Sequence, residues 1–515
     1  MTKTILVLVI AAYNALMLSP TFNGKENPQE DIKSLLLAAE AGDAEAQYKL
    51  GKCYKYGKGV EIDFEEALKW FEKSANQGNP AGMNALGVAY NEGEGVAKDY
   101  AVALKWYMKA ADLGNEKAMN NVGSCYYNGH GVPQDYKEAV KWYEKAAEMG
   151  STLAMKNLGY CYDKGLGVEE DKVQSHACYL KAAEKGDAGA QNRVGFNFET
   201  GNGVPEDPQK AYEWYLKSAE QDFSTAIANL GLCYYYGRGV SQDYASAFKW
   251  FEKAAGMGEI SAMTHLGQCY STGRGVSQDY VSAFKWFEKA ADKNDSYAQR
   301  RVAWAYYDGE GVPKVYKLAF DWFKKASDNG DISSMTMLGY MYEKGLGVEE
   351  DPYEAFDLYS LAAEKGNKTA ARNIAVCYEK GVGVTEDLEM AYKKYLECAK
   401  AGDAQAYCDL GRFHYYGKGT LRKKDYTKAL EYFKESAKGG YRHAYYWIGK
   451  CYENGRGVKK DIPTAIQLYM KANDGGEDQD ALIALAKLGK YIVFHYKTLE
   501  KLDIDVYKLL SLIEN

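Results

Sequence analysis

The sequence predicts an all-α fold of stacked helical hairpins, and three observations carry that prediction. The string Gly239-Val240-Ser241-Gln242-Asp243-Tyr244 recurs as Gly275-Val276-Ser277-Gln278-Asp279-Tyr280, 36 residues later. Within each such period the apolar residues follow helical spacing. Glycine clusters interrupt that spacing at regular intervals, where a helix has to stop.

Stepping by 36 residues in both directions gives units starting at Ala44, Pro80, Glu116, Thr152, Ala188, Ser224, Ile260, Ser296, Ile332, Lys368, Ala404 and Arg442. The unit from Ala404 has 38 residues, and the series runs over 44–477 without a gap. In the first unit Ala46, Leu50, Cys53 and Tyr54 mark one buried face of a first helix. Gly57-Lys58-Gly59-Val60 stops that helix, because glycine enters left-handed backbone at little cost. Asp63 is placed as the N-cap of a second helix, whose stripe is Ala67, Trp70, Phe71 and Ala75 and which Gly78 ends. Ala46, Gly51, Ala67 and Ala75 are small enough for helices to approach closely. A lone hairpin cannot bury such a stripe, so neighbouring units must stack.

The ends differ from the array. Ile5 to Leu18 is apolar except for Asn14, too short for a comfortable membrane span and suited to the hydrophobic region of an export signal. Residues 1–19 are therefore expected to be a signal peptide or an N-terminal hydrophobic segment, with the chain exported to a periplasm, an ER lumen or the outside. A cytoplasmic chain is the alternative, favoured by its many unpaired cysteines. Residues 28–43 are expected to be a capping helix, since 32–42 matches a second helix without its first. Residues 478–515 should cap the other end, with Leu499, Leu502, Ile504, Val506, Leu509, Leu510 and Ile513 as the apolar side of the tail.

Composition narrows the function. The 515 residues exceed what one compact core usually holds, and 46% hydrophobic with 26% charged residues excludes a disordered chain. The net charge is −7 and no basic block occurs, so no nucleic-acid partner is expected. The recurrent Gly-x-Gly lies between two helices with no strand before it, unlike a dinucleotide-binding turn. The six histidines are scattered without metal-ligand spacing. No catalytic, cofactor-binding or metal-binding residue is assigned, and neither an enzyme nor an integral membrane span is expected. Cys53, Cys125, Cys161, Cys233, Cys269, Cys377 and Cys451 share one slot on the buried face of the first helix, which reads as packing.

Leu-Gly-x-Cys/Ala-Tyr, then Gly-x-Gly-Val, then Asp-x-x-x-Ala and Trp-Tyr/Phe-x-Lys-Ala-Ala resemble the Sel-one-like repeat, a relative of the tetratricopeptide repeat. The resemblance implies a right-handed superhelical α-solenoid of helix-turn-helix repeats, with a concave groove and adaptor roles. Some members of that family join a second helix to the next first helix by a disulfide. Cys398 and Cys408 fall near that arrangement in different registers, and Cys161 with Cys178 is another candidate pair.

A helical wheel places the third, seventh, tenth, eleventh and fourteenth positions of each unit inside, with the fifth, ninth and twelfth turned away. The fifth gives Asn84, Asn120, Asn192, Arg300 and Arg372 as groove candidates. The ninth gives Tyr160, Phe196, Trp304 and Tyr340, and the twelfth Tyr127, Tyr235 and Tyr307. Contiguous exposed aromatics mark an interaction surface, and asparagines can pair with an extended peptide backbone. The tryptophans at 70, 106, 142, 214, 250, 286 and 322 are assigned to the core. The expected function is a non-catalytic scaffold or adaptor that binds a partner protein or extended peptide segment in the groove. The alternatives are a structural spacer in envelope assembly and a carbohydrate or cell-wall binder, which would need polar groups convergent on the aromatics.

Overall fold

The computed structural model describes residues 28–419, 423–474, 478–495, 499 and 504–505. The leader expected at residues 1–19 lies outside the described residues. Among those described, 27 helices and no strand are present, so the protein is an all-α solenoid of hairpin repeats. The helices group into two compact units, residues 1–243 and 244–515.

The local chemistry of a hairpin is clearest in the first repeat, with helices Ala44–Tyr56 and Phe64–Asn76. The carboxylate of Asp43 accepts from the Ala46 N–H at 2.8 Å, and that of Asp63 from the Glu66 N–H at 2.9 Å. Each bond satisfies one of the free N–H groups at a helix start. The first helix ends at Gly57 with φ of 65°, and the Asp63 N–H returns to the Tyr54 carbonyl at 3.0 Å to close the loop. The second loop glycine has a different job. At Gly95, with φ of 71°, a Cβ would strike the Phe64 carbonyl at the start of the preceding repeat's second helix. The loop therefore lies directly on its neighbour.

Packing within a hairpin is equally close. A Cβ on Gly51 would come to 2.6 Å from the Phe71 ring, so the glycine sets how near the two helices approach. In the first unit, Ala103, Tyr107, Ala118, Val122 and Cys125 join neighbouring repeats into one cluster. In the second unit, Ala375, Tyr395, Leu410 and Phe413 do the same. Buried tyrosines of the second helices need a partner for their hydroxyls. Tyr215, Tyr359, Tyr395 and Tyr469 donate to Glu199, Glu343, Glu379 and Glu453 at 2.7, 3.0, 2.7 and 2.7 Å.

The tryptophans depart from the core assignment. Trp70 is buried, but Trp106, Trp142, Trp214, Trp286 and Trp322 are half-buried. The lysine three residues after each of these six rings covers it, the ammonium lying 3.8 to 4.4 Å from the centroid. An indole is too large to be covered by one neighbouring helix, and the lysine completes its packing.

All ten cysteines are free thiols, nine of them buried and Cys53 partly so. Neither Cys161 with Cys178 nor Cys398 with Cys408 forms a disulfide. Burial pushes the thiols of Cys125 and Cys161 up to about 11. At the N-terminal end the helix Pro28–Glu40 sets Ala39 against Ala46, Leu50 and Trp70. At the other end Gln479–Lys487 and Gly489–Phe494 follow the array, and Ala481, Leu485, Ile492, Leu499 and Ile504 cluster with Ile466 and Tyr469. Leu502, Val506, Leu509, Leu510 and Ile513 lie outside the described residues. No described helix is long and apolar enough to cross a membrane.

Candidate functional site

The fifth position of the first helix belongs to the joint between repeats. In the first unit Asn84, Asn120 and Asn192 accept through Oδ1 from the Nδ2 of Asn121, Asn157 and Asn229, sixth-position residues of the next repeat. All three distances are 2.9 Å, and Asn120 is only 2% exposed. Where the fifth residue is a cation, it reaches the helix cap of the next repeat. Lys156 lies 2.8 Å from Asp187, Arg300 3.1 Å from Asp331 and Arg372 4.0 Å from Asp403. This corrects the outward placement of Asn120, which is buried, while Asn84, Asn192, Arg300 and Arg372 stay partly exposed with their polar ends tied into the joint. The wheel centres on one hairpin and omits the adjacent repeat, which covers this slot.

The ninth and twelfth positions divide. Tyr235 is buried at 2% exposure, another correction, and meets Tyr236 edge-on at 5.0 Å. Trp304 is half-buried and packs edge-on against Tyr307 and the core ring Phe323, at 5.3 and 5.4 Å. Tyr127 and Tyr307, both half-buried, pack edge-on against Tyr136 and Tyr316 at 5.1 and 5.2 Å. Burial, followed by the neighbouring Tyr340 and Tyr316 hydroxyls, pushes Tyr307 up to about 12. Tyr160 and Phe196, in one slot of consecutive repeats, are open to solvent at 44% and 41%. Arg193 lies over the Phe196 ring at 5.3 Å and its guanidinium donates to Asp163 at 3.2 Å.

The second unit contains a cavity of about 640 Å³ along the first helices of repeats nine to twelve, with Asp480 at its end. Tyr340 and Arg372, both read from the sequence, line it together with Asn373, Asp409, Arg412, Tyr416 and Trp447. Asp409 is 8% exposed. Its Oδ1 accepts from Arg412 at 2.9 Å. Its Oδ2 has no hydrogen-bond donor, and the Arg372 guanidinium lies 3.7 Å from it. Burial pushes this carboxyl up to about 6 against the pull of Arg412 and Arg372. Glu379, also on the wall, has the opposite balance. Burial pushes its carboxyl up, but bonds from Lys418 at 2.6 Å and Tyr395 at 2.7 Å, with the Arg412 charge, outweigh that and hold it low. Trp447 stacks on the core ring Phe433 at 5.5 Å and meets Tyr416 edge-on at 6.0 Å.

Sequence reasoning missed the sixth position, which supplies Asn373, Asp409 and Trp447. It also stopped short of the ninth-position residue of repeat eleven, Arg412. One signal was available. Arg372 and Asp409 are 37 residues apart, the separation of Asn84 and Asn121, so the same joint holds an ion pair in place of two amides. Among the described residues no three His, Cys, Asp or Glu side chains are grouped to hold a metal ion.

Comparison with known proteins agrees with this architecture. The Sel1 repeat profile matches twelve times in succession, from 44–79 to 442–477, with the tenth match at 369–403. The crystal structure of c5321, a protective antigen of uropathogenic Escherichia coli strains with an SLR fold, is similar at 32% identity, with a TM-score of 0.65. The superposition covers 92% of this chain and 97% of that one. A Sel1 repeat protein from Oxalobacter formigenes shares 27% identity over 64% of this chain and 99% of its own, with a TM-score of 0.46. The chitin synthase regulator SKT5 of Saccharomyces cerevisiae is 39% identical over 72 residues, 14% of this chain. That match spans 10% of the yeast protein's length. With twelve consecutive matches over 44–477, each falling on one observed hairpin, the chain belongs to the Sel1 repeat family.

Proposed function

We propose that this protein is a non-catalytic scaffold that holds a segment of a partner protein against the first-helix face of its N-terminal unit. Sel1 repeat proteins generally mediate protein–protein interaction and form a scaffold family that is generally non-catalytic. The observation that carries the reading is the pair Tyr160 and Phe196, adjacent-repeat aromatics left open at 44% and 41%. Large rings in that setting gain from being covered, and aromatic residues with a neighbouring arginine are the commonest anchors of protein interfaces. Arg193 supplies the arginine, over the Phe196 ring.

The test is site-directed photo-crosslinking in native extract, with a benzophenone amino acid at position 160, 196 or 173. Val173, 63% exposed on a second helix, is the reference site. The expected result is one protein crosslinked from 160 and 196 and absent from 173. A double variant, Tyr160→Ala with Phe196→Ala, should melt at the wild-type temperature and no longer retain that protein. Equal crosslinking from 173, or none from 160 and 196, would overturn the proposal.

A further inference from the structure

The cavity in the second unit has a composition that a peptide-gripping face does not need. Four carboxylates and four lysine or arginine side chains line it, so its formal charge is balanced. Several of these charges are already committed. Glu379 is held by Lys418 and Tyr395, and Glu343 by Lys344 at 2.7 Å and Tyr359 at 3.0 Å. A ligand with a net charge would meet as much repulsion as attraction there.

One atom is left wanting a donor. Asp409 Oδ2 is buried without a hydrogen bond, which is costly for a carboxylate oxygen. Guanidinium groups already stand 2.9 Å from Oδ1 and 3.7 Å from Oδ2. A third cation would be repelled by both, so the missing donor has to be neutral, an O–H or an amide N–H. Asn373 and Gln405, on the same wall, can each donate and accept. Around these groups stand the rings of Tyr340 and Tyr416, while Trp447, 8% exposed, is taken up by its stack on Phe433 and by Lys450 over its ring. Rings offer flat apolar surface to C–H groups, while the polar set between them answers to hydroxyls. Polar groups converging on one aromatic-walled pocket suit a compact polyhydroxylated molecule. An extended peptide instead needs donors and acceptors repeated along a line. The cavity volume of about 640 Å³ falls within the range of small-ligand sites.

We propose that this cavity binds a neutral oligosaccharide through the Asp409–Arg412–Arg372 cluster and the rings of Tyr340 and Tyr416. The sugar lies with its C–H faces on the rings, and one hydroxyl donates to Asp409 Oδ2. This site is separate from the Tyr160–Phe196 face, and neither proposal rests on the other.

The experiment titrates the full chain by calorimetry and saturation-transfer NMR with di- to tetrasaccharides of maltose, cellobiose, lactose, mannobiose and N,N′-diacetylchitobiose type, beside an uncharged Gly/Ser/Asn hexapeptide. At least one saccharide series should bind with a Kd below about 1 mM. Tyr416→Ala and Asp409→Asn should each weaken that binding about tenfold or more, and Val173→Ala should leave it unchanged. Tyr416 is 46% exposed, so its variant decides the matter if Asp409→Asn does not fold. No binding by any saccharide at about 10 mM, a millimolar range where even weak single-site contacts register, would overturn the proposal. So would undiminished binding in Tyr416→Ala, or binding of the hexapeptide alone. None of these outcomes touches the crosslinking from positions 160 and 196.

Discussion

Asn120→Ala separates a residue that joins repeats from one that waits for a ligand. The side chain is 2% exposed and its Oδ1 accepts from Asn157 Nδ2 at 2.9 Å. Alanine removes the acceptor. A neutral side-chain hydrogen bond contributes about 1 kcal/mol net, and an unpaired buried donor costs about 1–3 kcal/mol more. Asn157 is half-buried, so water can take over much of its amide. The expected loss is therefore about 1–2 kcal/mol, below the roughly 2–4 kcal/mol of the two contributions together, because water relieves most of the second. Repeat arrays unfold through coupled neighbours, so the assay is urea denaturation followed by circular dichroism, with the slope of the transition compared as well as its midpoint. A double-mutant cycle with Asn157→Ala isolates the joint, and a coupling energy near 1 kcal/mol is expected for residues in direct contact. Asn120→Ala within about 0.3 kcal/mol of wild type, or a coupling of zero, would refute the reasoning and return Asn120 to the outward face.

Three further outcomes follow from the same structure. In the native protein only Cys53 should react promptly with a thiol reagent, and all ten cysteines should react after unfolding, because burial covers the other nine and raises thiols such as Cys125 and Cys161 to about 11. Prompt reaction of three or more thiols in the folded protein would contradict that packing. The Asp409 carboxyl, raised in the folded protein from its ordinary 3.8 to about 6 chiefly by burial, contributes stability that is full below about 4 and lost as pH rises through about 6. Asp409→Asn lacks that loss, so its melting temperature relative to wild type should climb between pH 4 and pH 6.5, and parallel curves would refute the assignment. Gly95→Ala combines left-handed backbone with a clash on the Phe64 carbonyl, whereas Gly78→Ala, with φ of 85°, meets nothing within 4 Å. The second should cost about 1–2 kcal/mol for the backbone alone and the first clearly more, read by thermal denaturation.

The parts of the fold legible in the sequence are those fixed by chemistry within one repeat. Gly57 and Asp63 mark a helix end and a helix start because left-handed backbone and a capping carboxylate are local needs. The repeat starts fall on the first residues of the first helices, except that the last helix begins at His443, one residue after Arg442. The site was less legible because it depends on the next repeat. Asn120 and Tyr235 look outward on a wheel of their own helix, yet the structure buries both. Asp409 is an ordinary aspartate in the sequence. Its desolvation and its unpaired oxygen exist only once Arg372 and Arg412 close around it. Phe196 and Tyr160 were legible as open rings because at those two repeats the ninth slot stays 41% and 44% exposed to solvent, even with Arg193 over the Phe196 ring.

The joints at the fifth and sixth slots also limit how such an array can grow. A repeat behaves like a domino, with a trailing edge that must match the leading edge of whatever follows it. Asn120 asks for an amide and meets Asn157; Arg372 asks for a carboxylate and meets Asp409. If the third repeat were copied in behind the tenth, Arg372 would face Asn121, and a half-buried guanidinium would lose one of its two anions. Lengthening by duplication is thus open to copies whose edges agree, and the order of repeats, as well as their number, is under physical constraint.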